Sequence, residues 1–290
     1  MTFKTRFAPS PTGPLHLGHA YSGLLAHDLA GAVGGECLLR IDDIDASRAR
    51  AEWDAQLQDD LAWIGMSWPT PVRRQSDHLQ AYNAALHHLW TRGLLYPCTC
   101  TRRDIAGAAN APQEGAQFGP DGIIYPGTCR PAVPPGGDMP QSALRLDMAR
   151  ALGTLYAQAM RPPLGFIEEG SGPDGQTGFI ALDPNHLINN VGDVVLARVG
   201  MGGSYHLSVV IDDAVQGITH VVRGEDLFAA TAIHVVLQRL LQLPTPIYHH
   251  HRLIRDEAGK RLAKRDDARA IATYREAGKS PSDIRKMVGL

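Results

Sequence analysis

An α/β protein built on parallel strands is what this sequence predicts, and three observations carry that expectation. The chain from its start to Ile41 reads strand, helix, strand; a Gly/Pro-rich stretch later interrupts the pattern; and apolar, β-prone runs return from Tyr205 onward. Phe3 and Arg6-Phe7 form a short β-prone run, and Ala8-Pro-Ser-Pro-Thr-Gly-Pro14 forbids regular structure. From Leu17, apolar or small residues at 17, 20, 21, 24 and 25 recur at helical spacing until Gly34-Gly35. Cys37-Leu-Leu-Arg-Ile41 reads as a second buried strand. A strand–helix–strand unit of this length implies parallel pairing and a right-handed crossover, the Rossmann-like arrangement.

Two helices are expected next, one through Trp53, Leu57, Leu61 and Ile64 ending at Gly65, the other through Leu79, Tyr82, Leu86 and Leu89 ending at Gly93. Residues 97 to 140 hold fifteen Gly or Pro, too many for a self-supporting core, so this stretch needs a staple. Tyr205-His-Leu-Ser-Val-Val-Ile211 reads as a strong strand and Thr219-His-Val-Val222 as another. Asp226 is placed to cap a helix through Leu237 and Leu241, which Pro244 and Pro246 end.

Composition narrows the class. With 44% hydrophobic and 20% charged residues, the chain reads as an ordinary soluble globular protein, without the long apolar run of a membrane span. The first residues lack a signal-peptide pattern, so a cytoplasmic location is expected; the chain is also expected to be a monomer. Net charge is only −2, yet its distribution is uneven. From His249 to Leu290 there are eleven Lys or Arg against six Asp or Glu, leaving seventeen against twenty-four in the preceding part of the chain. A basic tail on an acidic body suits phosphate binding, and equally suits a solvated helical tail.

The first chemistry-bearing motif is Pro14-Leu-His-Leu-Gly-His19, opening the first helix after the first strand. A helix N-terminus presents unpaired N–H groups and partial positive charge, and therefore attracts phosphate. His16 and His19 add donors on one turn, and Gly18 permits close approach to backbone. Taken alone, such a pair could equally be a metal pair or two surface histidines.

The whole string Arg6-Phe-Ala-Pro-Ser-Pro-Thr-Gly13 ahead of it changes that balance. Arg6 to His19 resembles the glutamyl/glutaminyl branch of the class I aminoacyl-tRNA synthetases, with His16-Leu-Gly-His19 as its HIGH motif. Leu39-Arg-Ile-Asp-Asp-Ile-Asp45 resembles the family's R-[FI]-[ED]-D-[TIL]-D strand end. Asp212 to Asp226 resembles its D-D-x-x-x-x-[IV]-[ST]-[HE]-[VI]-[IV]-R-G-x-D segment, and Lys260-Arg-Leu-Ala-Lys-Arg265 its KMSKS loop. The four motifs come in order over residues 3 to about 268.

The resemblance implies a class I catalytic domain in two halves, 1–97 and 191–242, with an insertion at 98–190. Residues 243–290 would carry the KMSKS-like loop and a small helical stem-contact segment. It implies an ATP-dependent enzyme whose nucleophile, a carboxylate, arrives already ionised. Catalysis then rests on positioning and on neutralising charge at phosphorus, a task for His16, His19, Lys264 and Mg²⁺. Gly18 and Arg261 join these residues at the ATP site. For glutamate, Arg6 and Arg223 are candidates for the carboxylates, Asp42 for the ammonium, Ser10 and Tyr205 for hydrogen bonds, with Phe7, Ala8 and Pro9 alongside. A bidentate Arg matches a carboxylate better than Lys does. Outside the family, Arg223 and Asp42 would read as a buried ion pair at a strand end. Two departures stand out: Asp42 replaces the Glu of most relatives, and the KMSKS-like loop carries Arg261 and Ala263 for Lys and Ser. The missing hydroxyl is worth about 1 kcal/mol, so weaker rather than absent activity is expected.

Cys98-x-Cys100 followed by Tyr125-x-x-x-Cys129 is the second cluster. Three thiolates in a Gly/Pro-rich stretch suit a closed structural Zn²⁺ site, or else are three buried free cysteines. The pattern resembles the zinc site of short glutamyl-tRNA synthetase-like proteins, which implies Tyr125 as fourth ligand and Asp121 in reserve. Cys37 reads as a core residue without chemistry, and His249-His-His251 as a solvated turn or the strand before the KMSKS-like loop rather than a metal site.

The stretch after Lys264, from Arg265 to Leu290, is too short for an anticodon-binding domain. That length resembles the glutamyl-queuosine tRNA(Asp) synthetases, which activate glutamate without tRNA and transfer it to queuosine at the wobble position of tRNA(Asp). The expected partners are then ATP, L-glutamate and the anticodon stem-loop, gripped in part by the basic tail. A minimal glutamyl-tRNA synthetase charging a 3′ end, and a catalytically silent paralogue that binds RNA or glutamate, remain the alternatives.

Overall fold

The computed structural model describes residues 2–109, 115–157, 162–255 and 269–290. The expected βαβ unit opens it: β1 (Lys4–Phe7), α1 (Leu17–Ala32) and β2 (Glu36–Ile41), with the two strands parallel and Arg6 opposite Leu38. Gly34, at φ +65°, makes the turn out of α1 that an L side chain would resist. Then come α2 (Ala51–Trp63), the short β3 (Arg73–Arg74) parallel to β2, and α3 (Leu79–Thr91).

The segment expected as an insertion begins with β4 (Leu95–Pro97), α4 (Arg102–Ala109) and a small hairpin, β5 (Phe118–Gly119) and β6 (Gly122–Ile123). β7 (Leu144–Leu146), α5 (Met148–Tyr156), β8 (Gly165–Glu168), β9 (Gly178–Ala181), the single turn α6 (Pro184–His186) and β10 (Val195–Ala197) follow. This segment is not sealed off from its surroundings. β8 joins β12 (Ile247–His251) in parallel, with Tyr248 opposite Glu168. β12 in turn pairs in parallel with β11 (His220–Gly224), which confirms the second expected strand. The Thr219 amide donates to the Lys4 carbonyl at 2.9 Å, bringing the two parallel sets side by side. Arg6 on β1 and Arg223 on β11 thus come together from distant parts of the sequence.

Residues 205–211 form no strand. They open α7 (Tyr205–Val215), capped by the Ser204 hydroxyl, which accepts from the Leu207 amide. Every residue from His206 to Asp213 is buried, so the helix shows no polar face and its sequence mimics a buried strand. The modest helical penalty of Val209, Val210 and Ile211 is overcome by packing on all sides. Asp226 does not cap the next helix either; it lies in a short 3₁₀ turn, and α8 (Thr231–Leu240) starts after Ala230.

Hydrophobic clusters cover the parallel strands. One joins α3, α5, α7 and α8 around Tyr248; the other packs α1 and α2 against α9 (Ile271–Glu276) and α10 (Pro281–Val288) through Leu15, Leu24, Ile271 and Ile284. Part of the basic tail is paired across the surface: Arg285 with Asp28 on α1 and Arg275 with Asp59 on α2. Among the described residues, no helix is long and apolar enough to cross a membrane.

Candidate active site

Arg6, Phe7, Ala8, Asp42, Tyr205 and Arg223 all line one cavity of about 150 Å³ between β1, β2, α7 and β11. Six of the eight residues expected at an amino-acid site are therefore together. The other two are not on its wall. Pro9 is buried and its carbonyl accepts the Asp42 amide at 3.1 Å, aligning the end of β2 with β1, while Ser10 is exposed.

Two buried lattices hold the arginines of this pocket, and they differ in what touches each guanidinium. In the first, Arg6 Nε donates to Asp213 Oδ1 at 2.9 Å, and Arg40 donates to Asp42 at 2.8 Å and to Asp213 at 2.6 Å. Arg40 is wholly buried and also lines the cavity. Two guanidiniums face two carboxylates here, so this set is neutral. Behind it Asp212 accepts from Arg73, Gln75 and Tyr82, anchoring α7 to β3 and α3. Burial would raise the Asp213 carboxyl, but Arg6 and Arg40 overcome it and hold it below the usual carboxylate range. Asp42 goes the other way: burial outweighs Arg40 and pushes its carboxyl up.

Arg223 is buried too, yet among the described residues no carboxylate touches it. Its Nε donates to His250 Nε2 and its Nη1 to His234 Nδ1, each at 3.1 Å, and its Nη2 donates to Thr231 Oγ1 at 2.7 Å. Both rings are pushed toward the neutral form by burial, with the Arg223 charge adding to the effect. His250 in turn meets Glu168 at 2.5 Å, and Glu168 sits wholly inside the sheet. Arg223 is thus held by neutral acceptors, and its charge stays available to a ligand. The ion pair that residue type alone suggests for Arg223 is absent among its described contacts. For Asp42 the ion pair is present, with Arg40.

The His16 and His19 rings meet at 3.8 Å between centroids, tilted by 38°. They also cap α1 reciprocally: His16 Nδ1 accepts from the Gly18 amide, and His19 Nδ1 from the His16 amide, both at 3.1 Å. Because each Nδ1 is an acceptor, the neutral rings carry their proton on Nε2. Gly18 serves this cap as much as any ligand, since a Cβ there would lie 3.0 Å from His16 Cε1. Arg261, Ala263 and Lys264 lie outside the described residues. The chain on either side of them is placed: Ile254 packs in the same cluster as Leu15, and Ala270 bridges His16 in antiparallel fashion.

The Sγ atoms of Cys98, Cys100 and Cys129 lie within 4.8 Å of one another, the metal-compatible group among the described residues. Tyr125 Oη is 3.4 Å from both Cys98 and Cys100 Sγ, and Cys100 and Cys129 Sγ are also 3.4 Å apart. A tetrahedral zinc with bonds of about 2.3 Å requires sulfurs roughly 3.7 Å apart, so three thiols and one phenol fit it. Hydrogen bonding by Tyr125 brings the Cys129 thiol down to about 6, while burial pushes the Tyr125 phenol up. Asp121, the reserve ligand, is turned elsewhere: its Oδ1 meets His206 Nε2 at 3.3 Å. Cys37 is a core residue of β2, as expected, with its thiol pushed up to about 11 by burial.

Residue reasoning missed Arg40, Asp213, His234, His250 and Glu168. Arg40 and Asp213 lay inside quoted motifs, and the sequence signal was there: charges in otherwise apolar strands and helices are rarely buried without partners. Of the two readings for His249-His-His251, the strand holds: all three lie in β12, with His250 buried.

The family model for the catalytic domain of class I (E and Q) tRNA synthetases matches residues 2–117 and 174–290. A Rhodobacter capsulatus protein named glutamyl-Q tRNA(Asp) synthetase is 60% identical over 288 residues, 99% of each chain. Its namesake from Nocardia farcinica is 42% identical over 96% of this chain and 81% of its own. Among solved structures, a glutamate tRNA ligase from Elizabethkingia meningosepticum, in complex with its amino acid, superposes with a TM-score of 0.73 at 25% identity. It covers all of this chain, which spans 61% of that longer one. Methionyl-tRNA synthetase from Mycobacterium tuberculosis, 13% identical, shares the fold with a TM-score of 0.59 over 99% of this chain and 63% of its own. Paired histidines at a helix start, a two-arginine pocket at the ends of parallel strands and a family match over most of the sequence agree: the chain belongs to the class I (E and Q) tRNA synthetase family.

Proposed function

We propose that the protein activates L-glutamate with ATP, without tRNA, and transfers the glutamyl group to queuosine at the wobble position of tRNA(Asp). The carrying observation is the charge of the amino-acid pocket. On the cavity wall Arg6, Arg40 and Arg223 stand against one carboxylate, Asp42, so the wall presents positive charge to a ligand that is net negative, as glutamate is. Arg223 takes one carboxylate, and Asp42, incompletely compensated by Arg40, takes the ammonium. Arg6 and Tyr205 complete the pocket.

In the first step an α-carboxylate oxygen attacks the α-phosphorus of ATP, and pyrophosphate leaves with the electrons of the broken P–O bond. No base is required. His16 and His19, protonated on Nε2, donate to the phosphate oxygens, and Gly18 leaves room at the helix start. Arg261 and Lys264 are assigned to the same phosphates by resemblance. Mg²⁺ bound with ATP would supply further charge neutralisation. Cys98, Cys100, Cys129 and Tyr125 would hold a structural Zn²⁺, which would fix the Gly/Pro-rich segment without a part in the chemistry. We place the enzyme in the cytoplasm, where tRNA and ATP meet. The naming of the full-length relative at 60% identity supports the RNA substrate.

Purified protein with ATP, magnesium and labelled glutamate, offered tRNA from normal cells or from cells unable to make queuosine, tests the reading. Label confined to the queuosine-containing pool is expected. Equal label in both pools would replace it with 3′-end charging.

A further inference from the structure

A hydrogen-bond chain runs from Arg223 to the opposite side of α7. Arg223 Nη1 donates to His234 Nδ1, so the His234 proton sits on Nε2. His234 Nε2 lies 3.1 Å from His206 Nδ1, which must then accept. The His206 proton is therefore on Nε2, facing Asp121 Oδ1 at 3.3 Å. An arginine that can only donate stands at one end and a carboxylate that can only accept at the other. Between them every proton has one consistent place. His206 and His234 are both buried, and Asp121 sits at the tip of the β5–β6 hairpin on the wall of a cavity of about 430 Å³. The two imidazoles also meet the Tyr205 ring edge-on, at 5.5 and 5.8 Å between centroids. One pair of rings thus orients two walls of the amino-acid pocket. His250 and Glu168 hold the Nε side of Arg223 in the same manner.

We propose that Asp121, His206 and His234 are positioning residues that aim Arg223, and with it Tyr205, at the carboxylate of the amino-acid substrate. The inference rests on the glutamate reading given above. The carboxylate locks the tautomer of His206, His206 locks that of His234, and the His234 lone pair sets the plane of the guanidinium. A carboxylate in direct contact would orient Arg223 equally well but would cancel its charge. Neutral rings orient it and leave that charge for the ligand. Asp121 is the useful handle because it is partly exposed and its loss leaves no cavity in the core.

The test compares Asp121→Ala and Asp121→Asn with wild type in glutamate-dependent ATP–pyrophosphate exchange. Nitrogen-15 spectra of the histidine rings without substrate run alongside. Asp121→Ala is expected to raise KM for glutamate about tenfold, near 1.4 kcal/mol, with KM for ATP and the thermal midpoint unchanged. Asp121→Asn, whose amide oxygen still accepts from His206, is expected to restore KM to within about twofold. Wild-type spectra should show His206 and His234 protonated on Nε2, with mixed tautomers in Asp121→Ala. An unchanged glutamate KM in Asp121→Ala, with wild type active, would overturn the relay alone. Protons on Nδ1 in wild type would overturn it without any substrate. Correct tautomers in a protein that exchanges with no glutamate would overturn the glutamate reading and the relay's stated purpose together.

Discussion

Around the amino-acid pocket, buried ion pairs tie together distant elements; around Cys98, Cys100, Tyr125 and Cys129 the contacts are mostly between near neighbours in sequence. The pocket draws Arg6, Arg40, Asp213 and Arg223 from four separate elements, and Arg6 and Arg40 find their shared carboxylate only in a helix far along the chain. The cysteine cluster is tied more locally: Cys98, Cys100, Tyr125 and Cys129 are near neighbours in sequence and pack with Tyr96 and Ile105, with Arg145 and the Asp121–His206 bond as its links to the rest. The difference teaches where damage should spread. Removing a charge from the pocket leaves an unpaired ion in low dielectric, whereas removing a thiol frees a loop.

The largest effect is expected from Arg40→Met. It leaves Asp42 and Asp213 buried without their shared cation, at a cost of about 3–5 kcal/mol in a urea titration. A loss below about 1 kcal/mol would mean the lattice is not what holds the pocket. Arg223→Gln keeps the shape but removes the charge that faces the ligand. A fall of roughly a hundredfold or more in kcat/KM for glutamate is expected, with stability moved far less. Equal losses in folding and catalysis would erase the distinction between the neutral lattice and Arg223.

The lattice also has an acid signature, and its two carboxylates carry opposite signs. The depressed Asp213 contributes stability that is present above its unfolded value of about 3.9 and is lost as pH falls through its lower folded value. The raised Asp42 contributes in the reverse sense, favouring the fold below about 3.9 and losing that contribution as pH rises through its folded value. Asp213→Asn should therefore flatten the loss of stability on the acid side, read from thermal midpoints at stepped pH, while Asp42→Asn should not.

Gly18→Ala probes the helix start. Its Cβ pushes on the His16 ring and opens the reciprocal cap, worth about 1–2 kcal/mol. Cys129→Ser sharpens the other side of the comparison. It should make residues 97–140 sensitive to brief proteolysis while the global unfolding midpoint shifts by no more than about 1 kcal/mol. A large global shift would show that the two regions are not separable.

Much of the fold was legible because its periodicities are local. The opening βαβ unit and the helices ending at Gly65 and Gly93 followed from apolar spacing and glycine stops. α7 was misread as a strand because a helix buried on every side has no periodicity to show. The pocket was legible only through motif strings: Arg6, Asp42, Tyr205 and Arg223 met as the resemblance implied, but Arg40 and Asp213, which hold them, drew no notice. His234 and His250 carry no local pattern that would distinguish them from ordinary core histidines.

The sequence by itself determined the class of fold, the family and the residue types at the site, since these rest on short strings and near-neighbour spacing. Tertiary structure alone decided the charge state of the pocket. Which arginine is neutralised by a carboxylate and which is held by imidazoles depends on β1, β11, α7 and α8 meeting from distant parts of the chain. Electrostatic energy is set by separation in space and by burial, and neither is written along the sequence.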